Sequence, residues 1–141
     1  MIGRIKKIIF TLVLFICMLS MTGCKTEVKK ETNTKKSVFE INSKDEKTVV
    51  LKIENSKKDS SDSAKIIISE GESLSIEPNL KDKSKINMRL IQAIGKDTTN
   101  CLIDEDIYGS NPYVYTVEPG EYEIYFTAVE SVTGTINVNV R

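Results

Sequence analysis

The side chains best equipped for chemistry in this sequence are the acidic run Asp104, Glu105 and Asp106, the thiol of Cys101 and several tyrosines. The acidic run continues to Tyr108 and Gly109, giving an Asp-x-Asp-x-Tyr-Gly spacing. Oxygens at the first, third and fifth positions of such a loop can converge on calcium, with glycine at the sixth for a sharp turn and a bidentate glutamate at the twelfth. Here the fifth position is Tyr108 and the twelfth is Tyr115, so residues 104–111 are expected to form a solvated acidic loop and no metal ligand is assigned. The absence of histidine removes Ser-His-Asp and Cys-His nucleophiles and imidazole zinc sites. No Gly-x-Ser-x-Gly elbow, Ser-x-x-Lys pair or Gly-rich phosphate loop occurs either. Lacking a base to form its thiolate, Cys101 is expected to be a small buried hydrophobe beside Leu102 and Ile103. Paired carboxylates alone can serve a glycosidase, but the domain is small for a substrate cleft. No catalytic residue and no cofactor are assigned.

Recognition is the chemistry left to the tyrosines, which add contact area at low entropic cost. Their placement depends on residues 113–140, read as three strands joined by two turns. Tyr113, Tyr115 and Val117 alternate with other residues, as do Tyr122, Ile124, Phe126 and Ala128, and a period of two marks a half-buried strand. With Tyr122, Ile124 and Phe126 inward, Tyr125 points outward beside Glu123 and Thr127, while Tyr108 and Tyr113 flank the loop at 109–112. These three, Tyr108, Tyr113 and Tyr125, are the candidate binding residues. Between the first two strands, Pro119 and Gly120 suit the second and third positions of a type II turn over 118–121. Tyr122, two residues beyond the glycine at a strand start, resembles the tyrosine corner of immunoglobulin-like and fibronectin type III sandwiches, whose hydroxyl bonds to backbone just upstream.

Earlier in the chain, Phe39 and Ile41 make a first short strand, and Val49, Leu51 and Ile53 make a second. Residues 56–63, SKKDSSDS, read as a loop. Ile66 to Ile68, the turn at Glu70-Gly71 and the alternating Leu74 and Ile76 read as a hairpin. Residues 85–94, KINMRLIQAI, fit both alternation and a helical stripe, with strand preferred. Residues 98–103 make another strand, and Ile136, Val138 and Val140 share one face of the last. The expected fold class is therefore all-β: one antiparallel β-sandwich of about eight strands over residues 38–141.

The N-terminus carries Arg4, Lys6 and Lys7, then twelve nearly uninterrupted apolar residues from 8 to 19, too few for a membrane span of about 20 residues. Met21-Thr22-Gly23-Cys24 resembles the bacterial lipobox, with Met21 where leucine is usual. That resemblance implies a signal peptide over 1–23, diacylation of Cys24 and a lipid anchor, with 24–37 as a flexible tether and everything beyond on the extracytoplasmic face of the cell membrane. With the signal removed, 17 basic residues face 20 acidic ones, a net of about −3; residues 25–37 hold five lysines against two glutamates, and 38–141 hold 12 basic against 18 acidic. A basic tether suits anionic head groups, and an acidic domain without a basic stripe excludes nucleic acid as a partner. The expected function is a membrane-anchored lipoprotein displaying a non-enzymatic binding module for an envelope protein or glycan. The alternatives are an immunity or protective lipoprotein and, less favoured, a carboxylate-dependent hydrolase or enzyme accessory.

Overall fold

Alternating apolar and polar side chains, β-branched at many of the apolar positions, keep each segment extended and give it one face to bury. The computed structural model describes residues 35–94, 96 and 98–141, and among these the pattern yields nine strands and no helix. They are β1 (Val38–Asp45), β2 (Thr48–Ser56), β3 (Ser61–Ile68), β4 (Leu74–Leu80), β5 (Lys85–Ala93), β6 (Thr99–Tyr108), β7 (Tyr113–Tyr115), β8 (Gly120–Ala128) and β9 (Val132–Val140). The expected signal peptide, Cys24 and the tether as far as residue 34 lie outside the described residues.

Every pairing is antiparallel, in a five-stranded sheet β1-β2-β9-β4-β7 and a four-stranded sheet β3-β8-β5-β6. The all-β sandwich is thus observed. Leu51, Ile76, Ile136 and Val138 from one sheet share a core with Ile66, Met88, Leu90 and Phe126 from the other, each fully buried. Burying one such side chain stabilises by about 1.5–3 kcal/mol. Segment 85–94 is a strand because Ile86, Met88 and Leu90 all face this core, whereas Ile91, which a helical stripe needs inside, lies on the outer face with Asn87 and Arg89.

The strands pair as β2 with β9, β3 with β8, β4 with β7 and β5 with β6, and successive pairs alternate between the two sheets. That is the order of a jelly roll, with β1 added at the edge of β2. It differs from the strand order of immunoglobulin-like sandwiches, so the resemblance drawn from Tyr122 extends to the corner and the two-sheet architecture, not to the topology. The turn expected at Glu70-Gly71 forms, with Gly71 at φ 81° and Glu72 N–H donating to the Ser69 carbonyl at 3.1 Å. No hairpin follows, because β3 and β4 enter opposite sheets. The expected loops also shrink: 61–63 belong to β3 and 104–108 to β6. Pairing with β8 and β5 supplies their backbone partners, which polar side chains do not prevent.

The expected type II turn at 118–121 does not form, since Gly120 lacks a positive φ and opens β8. β7 and β8 lie in different sheets, and the link between them is a crossing held by the corner: the Tyr122 hydroxyl donates to the Glu118 carbonyl at 2.6 Å. A Cβ on Gly120 would meet Gln92 Nε2 at 3.0 Å and the Tyr122 hydroxyl at 3.3 Å, so glycine there serves close approach. Tyr122→Phe deletes the bond and leaves the ring in place; the expected loss is about 1 kcal/mol, read as a lower urea midpoint at unchanged m-value.

Candidate functional site

The outward face of the four-stranded sheet is built by the residues that alternate with the core. On β8 these are Glu121, Glu123, Tyr125 and Thr127, and on β5 they are Lys85, Asn87, Arg89 and Ile91. The register places Arg89 directly opposite Tyr125 and Ile91 opposite Glu123. The Arg89 guanidinium carbon lies 5.7 Å from the centroid of the Tyr125 ring, a cation–π distance. Glu123 beside it and, to a lesser degree, partial burial raise the Tyr125 phenol above its usual pKa. Glu123 in turn accepts from the Ser63 hydroxyl at 2.7 Å, and Glu121 pairs with Lys65 of β3 at 3.5 Å.

These side chains border an open depression of about 410 Å³, with Ile91 and Ala93 supplying apolar wall and Lys65, Arg89, Glu121 and Glu123 supplying donors and acceptors. Its two carboxylates, Glu121 and Glu123, stand side by side on one strand rather than facing each other. Arg89, Ile91 and Lys65 were not singled out from sequence. The signal existed: alternation through KINMRLIQAI assigns Asn87, Arg89 and Ile91 to one face, but only the β5–β8 register sets them against Tyr125.

The three candidate tyrosines do not converge. Tyr108 is opposite Lys85 on β6 and 60% exposed. Along β5, Lys85 is four residues from Arg89, about 13 Å, and Asn87, Asp104 and Asp106 occupy the space between. Tyr113, on the short β7, turns inward: it packs against the core, its hydroxyl accepts from Tyr108 N–H at 3.4 Å, and its ring meets that of Tyr108 edge-on at 6.4 Å and 82°. Tyr113 and Tyr108 thus come together at one end of the sandwich and Tyr125 stands apart.

The acidic run is also rearranged, because a strand sends Asp104 and Asp106 to one face and Glu105 to the other. Asp106 pairs with Lys85 at 2.8 Å, which lowers the carboxyl pKa and raises that of the lysine. Asp104 accepts from the Asn87 amide at 2.8 Å. Glu105 accepts from the Tyr115 hydroxyl at 2.9 Å, and burial, followed by that carboxylate, pushes the Tyr115 phenol well above its usual range. Among the described residues no group of three acidic, cysteine or histidine side chains is arranged to hold a metal ion. Cys101 is exposed, contrary to expectation, and its thiol donates to the Ile103 carbonyl at 3.3 Å. The cause is a bulge: Ile103 pairs with Leu90 and Cys101 with Ile91, so Leu102 is an extra residue on the outermost strand.

No family model matches the chain, and no curated protein sequence does. Among solved structures the chain is similar to one described as "CBM4 structure and function", at 15% identity and a TM-score of 0.41, covering 74% of this chain and 77% of the other. It is also similar to Drosophila melanogaster CENP-C bound to CAL1, at 10% identity and a TM-score of 0.40, covering 74% and 80%. A third is the Drosophila melanogaster CENP-C cupin domain, at 10% identity and a TM-score of 0.39, covering 75% and 76%. Likenesses this weak carry no argument about this chain, whose fold class rests on its own two sheets.

Proposed function

We propose that this protein is a lipid-anchored lipoprotein of the bacterial envelope whose sandwich displays a non-enzymatic binding face, the depression around Tyr125 and Arg89, to a neutral polar ligand such as a glycan. The observation that carries the reading is the composition of that depression. Two cations, Lys65 and Arg89, balance two anions, Glu121 and Glu123, beside a partly exposed tyrosine and an apolar wall. Balanced charge gives no net field to select an ion, while abundant donors and acceptors suit hydroxyl-rich ligands. The anchor rests on the Thr22-Gly23-Cys24 pattern behind an apolar run. Two acyl chains on Cys24 supply the two signals that stable membrane attachment requires.

Binding is tested with the full-length protein and a panel of neutral envelope oligosaccharides, comparing wild type with Arg89→Ala and Tyr125→Ala. Both substitutions are expected to weaken binding about tenfold, near 1.4 kcal/mol, at an unchanged unfolding midpoint. Binding that ignores both changes, or no binding at all, overturns the reading of the face. Anchoring is tested separately by mass spectrometry of wild type and Cys24→Ala. An unmodified, freely secreted wild type overturns it.

A further inference from the structure

β6 ends its sheet, and among the described residues its outer edge has no neighbour. Beyond the Leu102 bulge, Ile103 to Tyr108 pair regularly with Leu90 to Lys85; backbone groups alternate between the two edges of such a strand, and since those of Tyr108 turn away from β5 to the Tyr113 hydroxyl, those of Asp104 and Asp106 lie on the outer edge without a backbone partner. The edge carries no lysine or proline; its guards are the Leu102 bulge and the acidic run, and both the bulge and the negative charge disfavour pairing with an apolar or acidic strand. Two exposed large hydrophobic side chains, Leu102 on β6 and Val114 on β7, lie together beside this edge. β7 has three residues where β6 has ten. The sandwich therefore stays open beside β7, as a cleft of about 390 Å³ lined by Leu102, Ile103, Val114, Tyr115 and Val117.

We propose that an extended peptide segment of a partner protein, alternating basic and apolar residues, adds as a fifth strand to β6. Strand addition draws affinity from the backbone row and specificity from alternate side chains. One set of guest side chains would face Asp104 and Asp106 on the outer surface, and the other would drop towards the cleft. Charge selects the occupant. Asp106 already holds Lys85, but neither Asp104 nor Glu105 is in an ion pair among the described residues; their partners are the neutral Asn87 amide and Tyr115 hydroxyl. A guest lysine or arginine on the outer face completes Asp104. A second copy of β6 would bring its own acidic run to the same edge, and like charges across a strand pair are destabilising.

The site is separate from the depression at Tyr125, and its test is independent of that reading. Full-length protein is titrated with a blocked octapeptide of alternating lysine and valine, and with its glutamate–valine counterpart. The lysine peptide is expected to bind at least about tenfold more tightly, to slow amide hydrogen exchange at Asp104 and Asp106 about tenfold, and to lose about tenfold in affinity on Leu102→Lys or Asp104→Lys. Both substitutions are at exposed positions, and an unchanged unfolding midpoint verifies that the variants fold. Equal binding of the two peptides, or no protection of β6, overturns the proposal. Protection that grows with protein concentration and no peptide also overturns it, by identifying a second copy as the occupant.

Discussion

Gly134→Ala is expected to remove most of the folded protein, on the order of 4 kcal/mol or more of stability. Gly134 sits in β9 between Ile53 of β2 and Leu80 of β4, with φ at 150°. A Cβ there would lie 2.3 Å from the Asn79 carbonyl oxygen and 2.8 Å from the Leu80 Cα. Both obstacles are backbone of the neighbouring strand, so no side-chain rotation relieves them. A disfavoured φ alone costs about 1–3 kcal/mol, and displacing β4 from its place between β9 and β7 adds to it. Gly109→Ala is the matched control. Its φ is 69°, but a Cβ would meet nothing within 4 Å, so only the backbone preference is lost, about 1–2 kcal/mol. Urea denaturation of the pair separates conformational strain from collision, and equal midpoints would refute the argument from close approach.

Phe126→Ala should cost about 3–5 kcal/mol, the range for emptying a large buried aromatic. Phe126 is fully buried on β8, pairs with Met88 of β5 and Asp62 of β3, and faces the opposite sheet. Its neighbour Thr127 points to the outer surface of the same strand, where replacement by alanine is expected to stay within about 0.5 kcal/mol. Thermal unfolding of the two variants reads the alternation directly: a large drop for Phe126→Ala beside near-silence at Thr127. Comparable losses would mean that β8 is not in the register observed.

The functional surface was legible only in part. Alternation along YEIYFTA placed Tyr125 outward, and that is where the structure has it. The same rule was available for Arg89, but its partner is set by the pairing of two strands separated by 26 or more intervening residues, Ala93 to Gly120, and no local pattern encodes such a pairing. Tyr113 illustrates the limit from the other side. Its alternation gives it two faces to choose between, and it turns inward because β7 lies across the sandwich from Tyr108 rather than beside Tyr125. Cys101 and the acidic run were misplaced for a related reason. Composition reads DEDIYG as a loop, whereas β5 offers those residues a backbone partner and a bulge at Leu102 turns the thiol outward.

By itself the amino-acid sequence determined the fold class, the inward faces of β2, β5, β8 and β9, and the Tyr122 corner, because each depends on side-chain period or on atoms within a few residues. It also carries the lipobox-like pattern on which the anchoring proposal rests. Only the tertiary structure decided which sheet each strand joins, and with it the jelly-roll order, the meeting of Arg89 with Tyr125 and the open edge at β6. The physical reason is that turns specify reversal while leaving open whether the next strand pairs with its predecessor or crosses to the other layer. That choice is settled by burying all the inward faces at once, and the contacts that settle it are distant in the chain.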